Sequence, residues 1–143
     1  MVSREGTVTC TPYDSRGTWL ITLQGEHDLA TRPTLERETR DIWPLCKVAV
    51  VDLSDTTFID SSVVKWLLRA ESALEAAGGV TLSVVEGPPG SVANRLFELL
   101  RIRHVLPCYA SRAEAFAPQV AGLALATRGW TVAMRPGGER RAA

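Results

Sequence analysis

The feature that most constrains this chain is the run KVAVVDL at residues 47–53. It is mostly β-branched, too short for a helix and too evenly apolar for a strand with one wet face, so it reads as a central strand covered on both faces. Its surroundings must therefore supply partner strands and covering layers. GTVTCTP (6–12) and TWLITLQ (18–24) alternate apolar residues with polar ones or threonine, and YDSRG between them reads as the turn of a β-hairpin. GEHDLATRP then breaks the alternation. Thr31 is the expected N-cap of a helix that tolerates Pro33 in its first turn and runs through TLERETRDIWPL until Pro44 stops it.

Beyond the central run, Val63, Leu67, Ala70, Leu74 and Ala77 recur at helical spacing, and Gly78 and Gly79 terminate the helix. Val64 and Leu68 fall on its flank, about 100° round the wheel. VTLSVVE is the next strand, GPPG a turn, and SVANRLFELL a helix opening at Ser91. HVLPCY reads as a short strand, and a last helix opens at Ser111, where Pro118 should kink or divide it. Strands alternating with helices after a hairpin give an α/β fold with a mixed sheet. With 143 residues there is one core, placed in residues 1–126, and residues 127–143 read as a tail expected to be partly disordered.

Composition narrows the function. Sixteen basic and sixteen acidic residues leave no net charge, so no global field draws the chain to nucleic acid or anionic lipid. Cys10, Cys46 and Cys108 are odd in number and widely spaced, which suits small apolar residues in a reducing compartment, with a reactive thiol left open. MVSREGTVTC lacks an apolar leader core, and QVAGLALATRGW is short and interrupted by Arg128, so a cytoplasmic chain without a membrane span is expected. EGPPGSV lacks the lysine and spacing of a phosphate-binding loop, and the two histidines, His27 and His104, are far apart. No metal or cofactor is expected. A Ser61-His-Asp triad would need one of those histidines beside the serine, and no G-x-S-x-G elbow is present. His27 reads instead as an exposed loop residue, and the chain as a non-enzyme.

One stretch remains: Asp60, Ser61 and Ser62, directly between strand and helix. Ser61 or Ser62 is the natural N-cap. The same position suits a phosphate, because unpaired amides and the helix dipole favour negative charge there. A phosphate on Ser61 would lie beside Asp60, and beside Asp28 if the GEHD loop is adjacent, and would repel a docked partner. Val64 and Leu68 would supply the apolar part of that docking surface, unless a neighbouring helix covers them.

GEHDLAT, VVDLSDTTFIDSSVV, GGVTLSVVE and SVANRLFELLRIRHVLPCYASRAEAFA resemble the STAS domain of bacterial anti-sigma factor antagonists, over about residues 6–126. The resemblance implies a four- to five-stranded mixed sheet with about four helices packed on one side of it. It implies that Ser61 is phosphorylated by an anti-sigma factor with a serine kinase ATPase fold. The unphosphorylated form would bind that factor and free a sigma factor, in transcription regulation under stress, and a phosphatase would reset the switch. Asp60 and Ser62 would shape the phosphoacceptor turn and Asp28 would face it, with Val63, Val64 and Leu68 at the partner surface. Two positions depart from the family. Val63 stands where glycine is usual, and Arg101 where a glycine serves the turn after the third helix, so that turn is expected to be rebuilt. A non-switching STAS module of a transport or signalling complex is the alternative that Val63 favours.

Overall fold

The computed structural model describes residues 6–79 and 81–117, and the tail, Pro118 and whatever lies beyond fall outside them. Five strands form one sheet in the order β1-β2-β3-β4-β5: Thr7–Pro12, Thr18–His27, Val48–Ile59, Thr81–Val85 and Cys108–Tyr109. β1 and β2 are the antiparallel hairpin, and every later pairing is parallel. Three helices, α1 (Arg32–Arg40), α2 (Ser61–Ala76) and α3 (Val92–Leu100), alternate with the strands, and residues 112–117 form a fourth, α4.

The central run is buried as its composition requires, and its two faces meet different layers. Ala49, Val51 and Leu53 join Ile21, Leu23, Leu82 and Val84 in the main core, closed by Leu35, Trp66, Leu67 and Phe97 from α1, α2 and α3. Val50 and Val85 point the other way, to a smaller cluster with Ala115 and Phe116 of α4. Helices therefore lie on both faces of the sheet, not one. Each parallel crossover sends its helix back against the strand direction. The amino end of α2 thus lies at the carboxyl ends of the strands, and the carboxyl end of α3 at the opposite end of the sheet.

Several boundaries differ from the sequence reading for local reasons. β2 and β3 both run past the expected ends, to His27 and Ile59, because register shifts at Thr22/Gln24 and Gly25/Glu26 keep the pair in step, with Gly25 at φ 80°. α1 stops at Arg40, and Pro44 sits in a short 3-10 turn, Trp43–Leu45. The strand expected over HVLPCY shrinks to Cys108–Tyr109, since the amides of Val105 and Leu106 turn back onto the Ile102 carbonyl at 2.8 and 2.9 Å. Cys46 is buried, while Cys10 and Cys108 are half-buried; all three are free thiols. Burial pushes the thiols of Cys46 and Cys108 up to about 12, so neither is a nucleophile at neutral pH.

Arg101 is the one non-glycine with positive φ among the described residues, at φ 55° and ψ 38°. The turn after α3 has therefore kept the left-handed conformation instead of being rebuilt. A side chain there costs about 1–2 kcal/mol, against about 0.5–1 kcal/mol of extra chain entropy for glycine. Arg101→Gly is expected to stabilise the fold by about 0.5–1 kcal/mol in denaturant melts. An unchanged or lowered midpoint would show that the arginine side chain compensates for the strain.

Candidate functional site

The parallel register pairs His27 with Ile59, so the next residues, Asp28 and Asp60, leave the sheet side by side from adjacent strands. Neighbouring strands are about 4.8 Å apart, which makes the GEHD loop and the D-S-S turn neighbours.

Asp60 is itself the N-cap of α2. Its backbone is extended, and its Oδ1 accepts from the Ser62 amide at 2.9 Å and from the Ser62 hydroxyl in a short hydrogen bond. Neither serine caps the helix. Ser62 is buried and committed to Asp60, whereas Ser61 is exposed at the first helical position, with its hydroxyl outside the capping network. The D-S-S order thus divides the labour. The aspartate ends the helix, the second serine locks the aspartate, and the first serine is left facing solvent.

Asp28 organises the facing loop in a similar way. Its Oδ1 accepts from the amides of Ala30 and Thr31 at 2.9 and 3.3 Å, and its own amide donates to the Thr31 hydroxyl at 3.0 Å. Thr31 precedes α1 as expected, but its hydroxyl serves this loop and does not cap the helix. Glu26, His27, Asp28, Thr34, Leu35 and Gly6 line a cleft of about 580 Å³ at the GEHD loop. Gly6 is required there, because a Cβ would lie 2.5 Å from His27 Nε2.

His27 is buried, not an exposed loop residue. Its Nε2 lies 3.2 Å from the Thr7 carbonyl and 3.0 Å from the Gln24 carbonyl, and its Nδ1 lies 3.3 Å from the Thr31 hydroxyl. Both ring nitrogens are thus occupied by partners other than Ser61, so the triad considered from sequence is not assembled around them. Burial pushes the His27 pKa down, opposed by the Thr7 and Gln24 carbonyls and by Asp28. The unfolded chain, titrating near the ordinary value of about 6.5, then binds the proton first. Stability from this group is complete above that pH and is lost as pH falls below it. Urea titrations between about pH 7.5 and 5 should show this loss, and His27→Gln should flatten it; an equal slope in the variant would assign it elsewhere.

Two of the side chains expected at a partner surface are not exposed. Val63 and Val64 are both buried in the main core, so neither side chain is available to a partner. The buried arc of α2 is wider than a single stripe because the helix packs on the sheet and also against α1. Leu68 is exposed, and it shares a face with Ser61 and Lys65, seven and three residues before it. Leu29, after Asp28, and Phe58, before Ile59, add two exposed apolar side chains at the same end of the sheet. The sequence reading missed Leu29, Phe58 and Lys65. Counting one helical turn forward from Ser61 rather than outward from the apolar stripe would have found Lys65.

Among the described residues no cluster of His, Cys, Asp or Glu could hold a metal ion, and no helix is long and apolar enough to cross a membrane.

A family model described as the STAS domain matches residues 12–115. No curated protein matches the chain. Among solved structures, an anti-sigma factor antagonist from Mycobacterium paratuberculosis is 24% identical, with a TM-score of 0.68 over 80% of this chain and 94% of the other. The anti-sigma factor antagonist SpoIIAA in its unphosphorylated form is 19% identical, with a TM-score of 0.62 over 81% and 97% of the two chains. The phosphorylated form of SpoIIAA, a Bacillus cell fate determinant, is also 19% identical, with a TM-score of 0.55 over 77% and 96%. At these identities the likeness is one of fold.

Proposed function

This chain belongs to the STAS domain family, and from that premise we propose that it is an anti-sigma factor antagonist switched by phosphorylation of Ser61. Unphosphorylated, it binds an anti-sigma factor that is also a serine kinase of the ATPase fold, and so frees a sigma factor. Phosphorylated, it lets go, and a phosphatase resets it.

The observation that carries this reading is the division of roles within the turn: Asp60 caps α2, Ser62 is buried on Asp60, and Ser61 alone presents its hydroxyl to solvent. A phosphate there would lie at the amino end of a 16-residue helix, where the fold tolerates negative charge. Lys65 stands one turn further on, at the spacing at which a phosphate and an ammonium interact. Asp28 and Asp60 flank the position, so the modification concentrates like charge on the docking surface without rearranging the backbone. Val63 does not oppose this, because its side chain is turned into the core and leaves Ser61 exposed.

The test is capture from a lysate of the native cell with wild-type and Ser61→Asp baits side by side. Retention of a kinase-type ATPase by the wild type, and its loss from the variant, supports the switch. Equal capture by both baits would leave Ser61 an ordinary first-turn residue and favour a non-switching module.

A further inference from the structure

The end of the molecule opposite the phosphoacceptor turn carries a second exposed apolar surface. Leu99 is 79% exposed, and Leu100 and Val105 are also open to solvent, all within the last turn of α3 and the short 3-10 turn that follows. Basic residues surround them. Arg95 lies one turn before Leu99 on the same face, and Arg101 and His104 are exposed. Arg103 is also present but spoken for, by the buried Glu86 and by Glu98 at 3.9 Å. Arg95 and Arg101 form no ion pair among the described residues.

The phosphoacceptor end has the complementary character. Leu29, 69% exposed, and Phe58 lie where the chain leaves β2 and β3, with the carboxylates of Glu26, Asp28, Asp55 and Asp60, and Lys65 and Leu68 follow along the exposed face of α2. Arg32 and Arg69 share the single carboxylate of Glu36, at 3.0 and 3.3 Å, so with Lys65 three cations face the five carboxylates of this end. One end of the sheet is therefore apolar and acidic, and the other apolar and basic.

We infer that the apolar-basic surface formed by Leu99, Leu100, Val105, Arg95 and Arg101 docks the phosphoacceptor end of a second copy of this chain. The contact is heterologous, joining head to tail, because the complementary patches lie at opposite ends of one protomer. Such contacts build rows or closed rings. Its apolar centre and charged rim follow the anatomy of a transient interface, with electrostatics setting orientation. This association stands apart from the switch proposed above, since it needs no kinase and no phosphate. It would, however, compete with an anti-sigma factor for the same acidic end.

Two surface variants test it in the full chain. Leu99→Glu disables the tail and Leu29→Lys the head, and both positions are exposed enough to leave the fold intact, as circular dichroism would verify. In sedimentation at low salt and high protein concentration, wild type should form a concentration-dependent series that salt disperses. Each variant alone should stop at the monomer. Mixed in equal amounts they should form a 1:1 dimer and nothing longer, through the intact head of Leu99→Glu and the intact tail of Leu29→Lys. A wild type that stays monomeric overturns the inference. So does a variant that still self-associates, or a mixture that stays monomeric while the wild type assembles.

Discussion

Ser61→Asp is expected to weaken the proposed complex with an anti-sigma factor by about 30-fold or more, the equivalent of about 2 kcal/mol of like-charge juxtaposition. The phosphate itself, with roughly two charges, should weaken it further. The charge falls between two carboxylates already fixed by their own hydrogen bonds, Asp60 to Ser62 and Asp28 to the Ala30 and Thr31 amides. Neither can swing away without dismantling its turn, so the added charge meets the partner rather than being absorbed. Lys65 offsets part of it, being exposed and largely solvated. Ser61→Asn supplies the control of similar size without charge and should bind like wild type in calorimetry. The fold should not suffer, because an aspartate in the first turn of α2 is favourable by about 0.3–1 kcal/mol. Raising the salt should narrow the gap between Ser61→Asp and wild type. A gap that ignores salt, or an asparagine variant as weak as the aspartate, would mean that shape and not charge governs the contact.

The second large effect lies away from the turn. Glu86 is a buried carboxylate just after β4, and it accepts from Asn94 Nδ2 at 2.8 Å and from Arg103 Nε at 3.1 Å, with a further short contact from the Arg103 guanidinium. This pair ties the end of β4 to α3 and to the turn beyond it. The hydrogen bond to Glu86 pushes the Arg103 pKa up, so the cation persists at every accessible pH. Breaking a buried pair from one side costs about 3–5 kcal/mol. Arg103 is 38% exposed and Asn94 stays with the carboxylate, so Arg103→Met is expected to cost about 2–3 kcal/mol, or about 10 °C in melting temperature. Glu86→Gln combined with Arg103→Met should recover part of the loss, because no uncompensated charge is then buried. Binding at the D-S-S turn should be unchanged in either variant. A loss under 0.5 kcal/mol for Arg103→Met, a bound set by the usual scale of surface substitutions, would show that water replaces the guanidinium.

Much of this architecture is legible in the chain itself. The apolar run 47–53, the hairpin, the Ser91 cap and the alternation of strand and helix each follow from local pattern and survive in the fold. What local pattern does not carry is register. Nothing in GEHDLAT announces that two irregularities let β2 continue to His27, and that continuation buries the histidine and brings Asp28 beside Asp60. The same limit explains Val64, whose place on the flank of one apolar stripe gave no sign that α2 packs on the sheet and on a second helix. The cap was misplaced for a chemical reason. Aspartate and serine are nearly equal N-caps, and only the extended backbone at Asp60 decides between them. Arg101 shows the opposite case, in which a turn geometry persists although its residue is poorly suited to it.

The central claim is that Ser61, and not its neighbour, receives the phosphate. The direct measurement is to incubate the purified chain with ATP and the captured kinase, then locate the phosphate by intact-mass and peptide mass spectrometry in wild type, Ser61→Ala and Ser62→Ala. A single phosphate on Ser61, absent from Ser61→Ala and still present in Ser62→Ala, is the predicted result. A phosphate on Ser62, on another residue, or on none would contradict it.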